Sequence, residues 1–219
     1  MILEIKSINL IRNKKLLFKN LSLKLLKSQI LILKGSNGIG KSSLLEMIVG
    51  IIEGEKGGIY FNGLNLGKHK KLFSNNFLYI GHSNSLKEEL TVIENLMIWA
   101  NICGIKIKKK EIINKLNYFK IKNLSHQTIS NLSSGQKRKV ALSKLLISDA
   151  KIWILDEPTN SLDYKSVNQF KNLVYEHQKK TGSAIITTHV ELKLKSFLVM
   201  DLDKLNVNKI KKDPEKWEN

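Results

Sequence analysis

Ile30-Leu-Ile-Leu-Lys-Gly-Ser-Asn-Gly-Ile-Gly-Lys-Ser-Ser-Leu-Leu-Glu-Met-Ile-Val49 joins three kinds of chain without a gap. Ile30 to Leu33 is a short unbroken apolar run, the pattern of a strand buried on both faces. Gly35 to Ser42 has the spacing of a complete P-loop, and Ser42 to Val49 carries helical spacing until Gly50 stops it. Strand, phosphate loop and helix in that order place a nest of backbone N–H groups at the positive end of a helix. Gly35, Gly38 and Gly40, with Ser36, Asn37 and Ile39 between them, let the backbone wrap a β-phosphate. Lys41 adds a charge that bridges β- and γ-phosphates, the Ser42 hydroxyl offers one magnesium position, and Ser43 completes the set.

A second apolar run, Ile152-Trp-Ile-Leu155, ends in Asp156-Glu157. Ligands of parallel sheets bind at the carboxyl ends of strands, so Asp156 is placed to hold magnesium directly or through water. Glu157 beside it is the candidate to polarise an attacking water; a positioned base is worth roughly 10²- to 10⁴-fold in rate. Between these segments, 91 residues after Lys41, stands Leu132-Ser-Ser-Gly-Gln136. The P-loop and this segment cannot serve each other within one molecule, so the order reads as a nucleotide-driven dimer.

The remaining chain fits an α/β core. Ile2 to Leu10 and Leu17 to Leu25 alternate apolar with polar residues, an antiparallel start. Gly57 to Phe61 and Phe77 to Ile80 read as strands, separated by a Lys- and Asn-rich loop. Thr91 to Ile102 and Lys109 to Ile121 read as helices, the first opened by a Thr91/Glu94 capping box. A further helix begins near Ser134, then strand Lys151 to Leu155, helix Lys165 to Lys180, and strand Ser183 to Thr188 ending at His189. Strands alternating with helices predict a mostly parallel sheet. The expected fold is a P-loop NTPase core with an N-terminal antiparallel β subdomain and an inserted helical subdomain at about 84–150. One domain spans 1–219, with a polar tail at 206–219 expected to be partly ordered at best.

With 219 residues, 42% of them hydrophobic, the chain can bury a sizeable core. No run approaches 18 consecutive apolar residues, so a membrane role must come through a partner. Met1-Ile-Leu-Glu-Ile-Lys6 reads as a first strand rather than a signal peptide. Cys103 stands alone, which excludes an internal disulfide and suits a reducing compartment. The net charge of +18 raises nucleic acid as a partner. Only Arg12 and Arg138 are arginines, however, and the lysines spread along the whole chain without the forks that read base edges. With 27 Ile and 21 Asn against four Ala, the lysines reflect an AT-rich genome, as in organelles and some symbionts. Most form a solvated surface, with attraction to an anionic membrane face as the functional reading of the rest.

The P-loop, Leu132-Ser-Ser-Gly-Gln136 and Trp153-Ile-Leu-Asp-Glu-Pro158 together make the chain resemble the ATP-binding subunits of ABC transporters over essentially its whole length. The resemblance implies that ATP and Mg2+ are bound and ATP is hydrolysed by a homodimer of these subunits. Leu132, Ser133, Ser134, Gly135 and Gln136 are then the signature that closes over the γ-phosphate held by the other copy, again by helix-terminus physics. It also implies that Asp163 in Ser161-Leu-Asp163 is the D-loop residue coupling the two sites, and that His189 is the switch histidine at the γ-phosphate. Two positions depart from the family. His82 stands where most relatives carry a magnesium-contacting Gln, so His82 or a water fills that role, and Arg12 falls where an aromatic residue stacks on adenine, so stacking is either by a guanidinium plane or weak.

Tyr79-Ile-Gly-His82, Leu86-Lys-Glu-Glu-Leu-Thr-Val-Ile-Glu-Asn-Leu96, Gln136-Lys-Arg-Lys-Val-Ala-Leu-Ser143 and Ile186-Thr-Thr-His189 narrow the resemblance to the haem-exporter ATP-binding subunits of cytochrome c maturation. That implies an integral membrane permease partner, contacted by Thr91 to Lys122 and the loop from His82, and haem or a haem-handling protein served by the cycle. The place implied is a membrane's inner face: cytoplasmic in a bacterium, or the matrix side of a mitochondrial inner membrane. The rivals are a subunit of another ABC exporter of lipid, drug or peptide, and a soluble ABC ATPase acting on ribosomes or nucleic acid.

Overall fold

The computed structural model describes residues 2–69, 76–189, 191–192, 194 and 196–205. The tail at 206–219 lies outside them. Strands β1 (Ile2–Arg12) and β2 (Lys15–Leu26) form an antiparallel hairpin. Its two-residue turn, Asn13 and Lys14, has φ of 49° and 61°, the mirror-type turn whose twist matches that of paired strands. Strands β4 (Gly58–Phe61) and β5 (Leu64–Asn65) extend this sheet in the order β2-β1-β4-β5.

The second sheet is parallel throughout, in the order β6-β7-β8-β3-β9. Its members are β3 (Ile30–Lys34), β6 (Phe77–Ile80), β7 (Ile152–Asp156), β8 (Ser183–Thr187) and β9 (Leu198–Asp201). Strands β3, β7 and β8 are apolar on both faces because both faces are covered. Ile30, Ile32, Trp153, Leu155, Ala184 and Ile186 point into one apolar cluster; Leu31, Leu33, Ile152, Ile154 and Ile185 point into another. A fully buried side chain of this kind contributes about 1.5–3 kcal/mol, so Leu155→Ala, at 0% exposure, should cost about 2–5 kcal/mol.

Helix α1 (Lys41–Ile48) lies between the two sheets, burying Leu44, Leu45, Met47 and Ile48. Helices α2 (Val92–Ile102), α3 (Lys109–Leu116) and α4 (Ser134–Ile147) share the cluster on the other face, together with Phe170 and Val174 of α5 (Tyr164–Lys179). The Thr91 capping box is formed: Thr91 N donates to Glu94 Oε2 at 2.9 Å, and Glu94 N donates to Thr91 Oγ1 at 3.3 Å.

Three elements differ from expectation, the smallest being β5, which lies within the stretch expected to be loop. The helix expected through Ile121 ends at Leu116, followed by a 3-10 turn, Asn117–Phe119, that closes at Lys120 with φ 59°. Phe119 and Ile121 are both buried, and a continued helix could not keep both on its inner face. Strand β9 was not expected; it pairs with β3 at the sheet edge, where Leu198 and Val199 stay about half exposed.

Candidate active site

Three adjacent strands deliver the site. β7 ends in Asp156, which pairs in register with Thr187 at the end of β8, and β3 on the other side of β8 runs into the P-loop. At these carboxyl ends lies a cleft of about 710 Å3, within the range that holds a small ligand. Asn37, Gly38, Gly40, Lys41, Ser42 and Ser43 line it together with Arg12, His82, Asp156, Glu157 and His189. Asn13, Lys15, Leu17 and Asn160 also line it and had no signal in the sequence pattern. Ile39 instead turns into the core at 4% exposure. Leu132, Ser133, Ser134, Gly135, Gln136 and Asp163 do not line the cleft.

Gly40 caps α1 with φ 113°, and a Cβ there would sit 3.0 Å from Leu17 and 3.1 Å from Phe18. Only glycine lets the β1–β2 sheet press on the loop this closely. The Lys41 ammonium donates to Gly35 O at 2.9 Å and Ser36 O at 3.3 Å and lies 3.3 Å from His189 Nε2. The same Nε2 is 3.3 Å from Glu157 Oε1. One imidazole nitrogen cannot accept from Lys41 and donate to Glu157 at once. Since an ammonium only donates, Nε2 is the acceptor; Glu157 Oε1 then has no hydrogen bond, in agreement with its buried, unpartnered state among the described residues. Glu157 Oε2 takes the His189 backbone N–H at 3.3 Å. Glu157 itself sits at φ 47°, a left-handed conformation that is uncommon outside glycine.

Thr187 ties the Asp156 carboxylate to the Glu157 backbone. Its hydroxyl donates to Asp156 Oδ1 at 2.6 Å and accepts from Glu157 N at 2.9 Å. Asp156, 1% exposed, keeps Oδ2 buried without a hydrogen-bond partner among the described residues. A buried carboxylate oxygen left free beside a P-loop serine suits a hard divalent cation such as Mg2+, which prefers one or two protein oxygens and completes its shell with phosphate and water. Among the described residues no group of three or more His, Cys, Asp or Glu could hold a metal.

Arg12 is held to α1 by Glu46, Nη1 to Oε2 at 3.1 Å. Ser36 turns its N–H and hydroxyl to Asp203, at 3.0 and 2.8 Å, a partner that sequence reasoning missed.

Away from the cleft, Leu132-Ser-Ser-Gly-Gln136 forms a capping box for α4: Gln136 N donates to Ser133 Oγ at 3.3 Å, and Ser133 N to Gln136 Oε1 at 2.9 Å. The Ser133 hydroxyl hydrogen remains as a donor. A Cβ on Gly135 would lie 2.6 Å from Ser161 O, so this glycine is fixed by close backbone approach. Lys139 Nζ lies 2.8 Å from Asp163 Oδ2, while Asp163 Oδ1 accepts from Ser166 N at 2.8 Å to cap α5. Lys139 and the Ser166 N–H hold the Asp163 carboxyl well below the usual carboxylate range. The sequence also gave no sign of Arg138, 3% exposed, whose guanidinium donates to the carbonyls of Gly81, Asp156, Glu157 and Pro158 and to Asn84 Oδ1. Burial lowers its pKa to about 10, against the opposing pull of Asp156 and Glu157, so it stays charged at neutral pH.

A glycine-rich loop at a helix N-terminus, facing paired carboxylates across a cleft at the strand ends, defines a P-loop nucleoside triphosphatase. The family model described as ABC transporter matches residues 18–160. The cytochrome c biogenesis ATP-binding export protein of Dechloromonas aromatica (strain RCB) is 34% identical over 200 residues, covering 91% of this chain and 98% of that protein. Its namesake from Wolbachia pipientis wMel is 36% identical over 206 residues, covering 93% and 98%. Among solved structures, an ABC transporter ATP-binding protein from Pyrococcus furiosus aligns with a TM-score of 0.82 at 26% identity, covering 94% of this chain and 100% of that one. The dimeric cassette MJ0796, in a post-hydrolysis state with ADP and Pi, shares the fold at a TM-score of 0.75 and 18% identity, covering 86% of this chain and 88% of that one. The chain therefore belongs to the ABC transporter family, as an ATP-binding, ATP-hydrolysing cassette of the cytochrome c biogenesis export group. No helix among the described residues is long and apolar enough to cross a membrane.

Proposed function

We propose that this chain is the ATPase subunit of a membrane export complex that carries haem, or serves a haem-handling protein, in c-type cytochrome assembly. The observation that carries the reading is the division of the phosphate-binding parts. The P-loop, Asp156, Glu157 and His189 meet in one cleft, while Ser133 and Gly135 stand outside its lining at the start of α4. Those two residues have phosphate to meet only if a second copy brings its cleft to them.

In that dimer the P-loop amides and Lys41 hold the β- and γ-phosphates, Arg12 offers its guanidinium plane to the base, and His189 reaches the γ-phosphate. Asp156 and Ser42, with His82 or a water beside them, would hold Mg2+, which would supply positive charge to offset that on the phosphate oxygens. Glu157 Oε1 takes a proton from water as the water oxygen bonds to the γ-phosphorus. The β–γ bridging P–O bond breaks and its electron pair leaves with ADP, giving ADP and inorganic phosphate. Asp163 links the two sites, and Ser133, Ser134 and Gly135 seal the partner's nucleotide, with Leu132 and Gln136 anchoring that turn. The helical segment from Thr91 to Lys122 and the loop beginning at His82 contact an integral permease on the inner face of its membrane, bacterial or mitochondrial.

Deletion of the gene tests the reading through c-type cytochrome assembly, alongside recovery of the tagged subunit with multi-spanning partners. Loss of holocytochrome supports it. Normal holocytochrome with defective export of lipid, drug or peptide would hand the chain to another exporter. Binding to RNA with a steep salt slope and no membrane partner would point to ribosome or nucleic-acid work.

A further inference from the structure

The Arg138 side chain is spent entirely inside one protomer. A guanidinium carries five N–H donors in a rigid fork, and here the fork spans two separate segments. On one side Nε meets Pro158 O at 3.1 Å, and Nη2 meets Asp156 O at 2.7 Å and Glu157 O at 2.8 Å. On the other side Nη1 meets Gly81 O at 3.0 Å and Asn84 Oδ1 at 3.2 Å, flanking His82. Arg138 lies on the first turns of α4, five residues after Ser133. The peptide it grips is that of Glu157, whose left-handed backbone must be held by its surroundings. The same stretch of α4 is joined to the loop after β6 a second time, by Lys137 Nζ and Glu88 Oε2 at 2.7 Å.

We propose that Arg138 is a positioning residue that carries any displacement at the start of α4 to Glu157 and to the His82 loop within the same protomer. Resting on the reading that Ser133 and Gly135 meet the partner copy's nucleotide, this makes each protomer's grip on the neighbouring ATP set the aim of its own Glu157. A bifurcated fork is needed because one ammonium cannot hold both segments. Lysine in its place keeps the charge and loses the link. The sealing of one site thus reaches the carboxylate of the other through a single side chain rather than through the nucleotide.

The test is a cycle of Ser133→Ala, Arg138→Lys and the double variant, measured as ATP turnover and ATP affinity in the assembled membrane complex, with folding checked by thermal melting. Arg138→Lys should lower kcat at least about tenfold while ATP Kd stays within about twofold, and the double variant should turn over no more than about twofold below the slower single variant. A purely structural arginine would give fold-losses that multiply, and that result, or an unchanged kcat in Arg138→Lys, overturns the proposal. Should Arg138→Lys fail to fold, Asn84→Ala takes its place in the cycle; it removes one of the five bonds, and a multiplicative or null result there counts equally against the link. Full turnover in Ser133→Ala alone would remove the reading of a signature acting in trans, and the link with it. All readouts are ATP turnover and binding, so they stand whatever the cargo proves to be.

Discussion

Asp203 grips Ser36 with both carboxylate oxygens, Oδ2 on the backbone N–H at 3.0 Å and Oδ1 on the hydroxyl at 2.8 Å. The short turn after β9 that carries Asp203 is anchored by Leu202, fully buried, and by Asp203 N donating to Asp201 Oδ1 at 3.0 Å. It braces the P-loop from beneath. Replacing Asp203 would mix two opposite effects, loss of the brace and relief of repulsion between a carboxylate and bound phosphates. Ser36→Ala separates them by removing one hydrogen bond without changing charge. A bond to a carboxylate from a partly exposed hydroxyl is worth about 0.5–1.5 kcal/mol, so ATP should bind about 2- to 10-fold more weakly by calorimetry, with kcat at saturation little altered. An unchanged Kd would mean that the loop holds its shape unaided.

Thr187, at 0% exposure, joins the Asp156 carboxylate to the Glu157 backbone N–H through one hydroxyl. Valine matches its shape but neither donates nor accepts. Thr187→Val leaves a buried carboxylate oxygen and a buried N–H without their partner, at about 1–3 kcal/mol for each unsatisfied group. A lower melting temperature is expected, and turnover should fall more than the melting shift explains, because the Glu157 backbone N–H loses its acceptor and the Asp156 carboxylate its donor. Chemical denaturation and steady-state hydrolysis on the same preparation check both halves.

What the sequence made legible was whatever repeats locally. The runs Ile30–Leu33 and Ile152–Leu155 read as buried strands because both faces of β3 and β7 are covered, and Gly40 announced the loop because no other residue tolerates its φ beneath Leu17 and Phe18. The capping box of α2 follows the same rule, since both partners lie within four residues; that of α4, Ser133 with Gln136, has the same spacing and went unread. Strand β9 escaped because half its apolar surface stays in solvent and so leaves no period. Asp203 escaped because its partner is 167 residues away. Arg138 sits in Lys137-Arg-Lys139, which reads as a solvated basic face. The fold buries the arginine at 3% and leaves its neighbours to the exposed salt bridges with Glu88 and Asp163. Grouping Arg12, His82 and His189 with the P-loop needed family resemblance, because only the three-dimensional sheet order brings them to one cleft.

His177 gives the protein a pH dependence that has no connection with catalysis. Its ring stacks on Trp153, centroids 3.6 Å apart and 8° from parallel, with Nε2 3.3 Å from Ser183 O. Burial pushes its pKa down to about 4, overcoming the backbone carbonyls that favour the charged form. Against about 6.5 in the unfolded chain, the unfolded state binds the extra proton between these values. Stability is therefore complete above about pH 6.5 and falls as pH drops toward 4, by on the order of 2–3 kcal/mol. Melting curves across pH 4–7 should show this slope, and His177→Phe, which keeps an aromatic ring on Trp153, should flatten it. A slope that persists in His177→Phe would assign the titration elsewhere.

Glu157→Gln tests the chemistry itself. The amide has nearly the shape of the carboxylate, so the backbone bonds from Arg138 and Thr187, which involve only Glu157 O and N, are untouched. What changes is Oε1, the buried oxygen left without a hydrogen-bond partner, because an amide is a poor base for water. Turnover should drop by roughly 10²- to 10⁴-fold, while ATP affinity is retained or rises because one negative charge near the phosphates is gone. With hydrolysis blocked and both nucleotides in place, the protein should accumulate as an ATP-bound dimer in size-exclusion chromatography with light scattering, and revert to monomer when ATP is withdrawn. Lys41→Ala is the matching control: it removes the loop's cation, so it should lose ATP binding and never form that dimer. Normal steady-state hydrolysis by the Glu157→Gln complex would take the base role away from Glu157 and pass it to His189, whose Nε2 lies 3.3 Å from that oxygen.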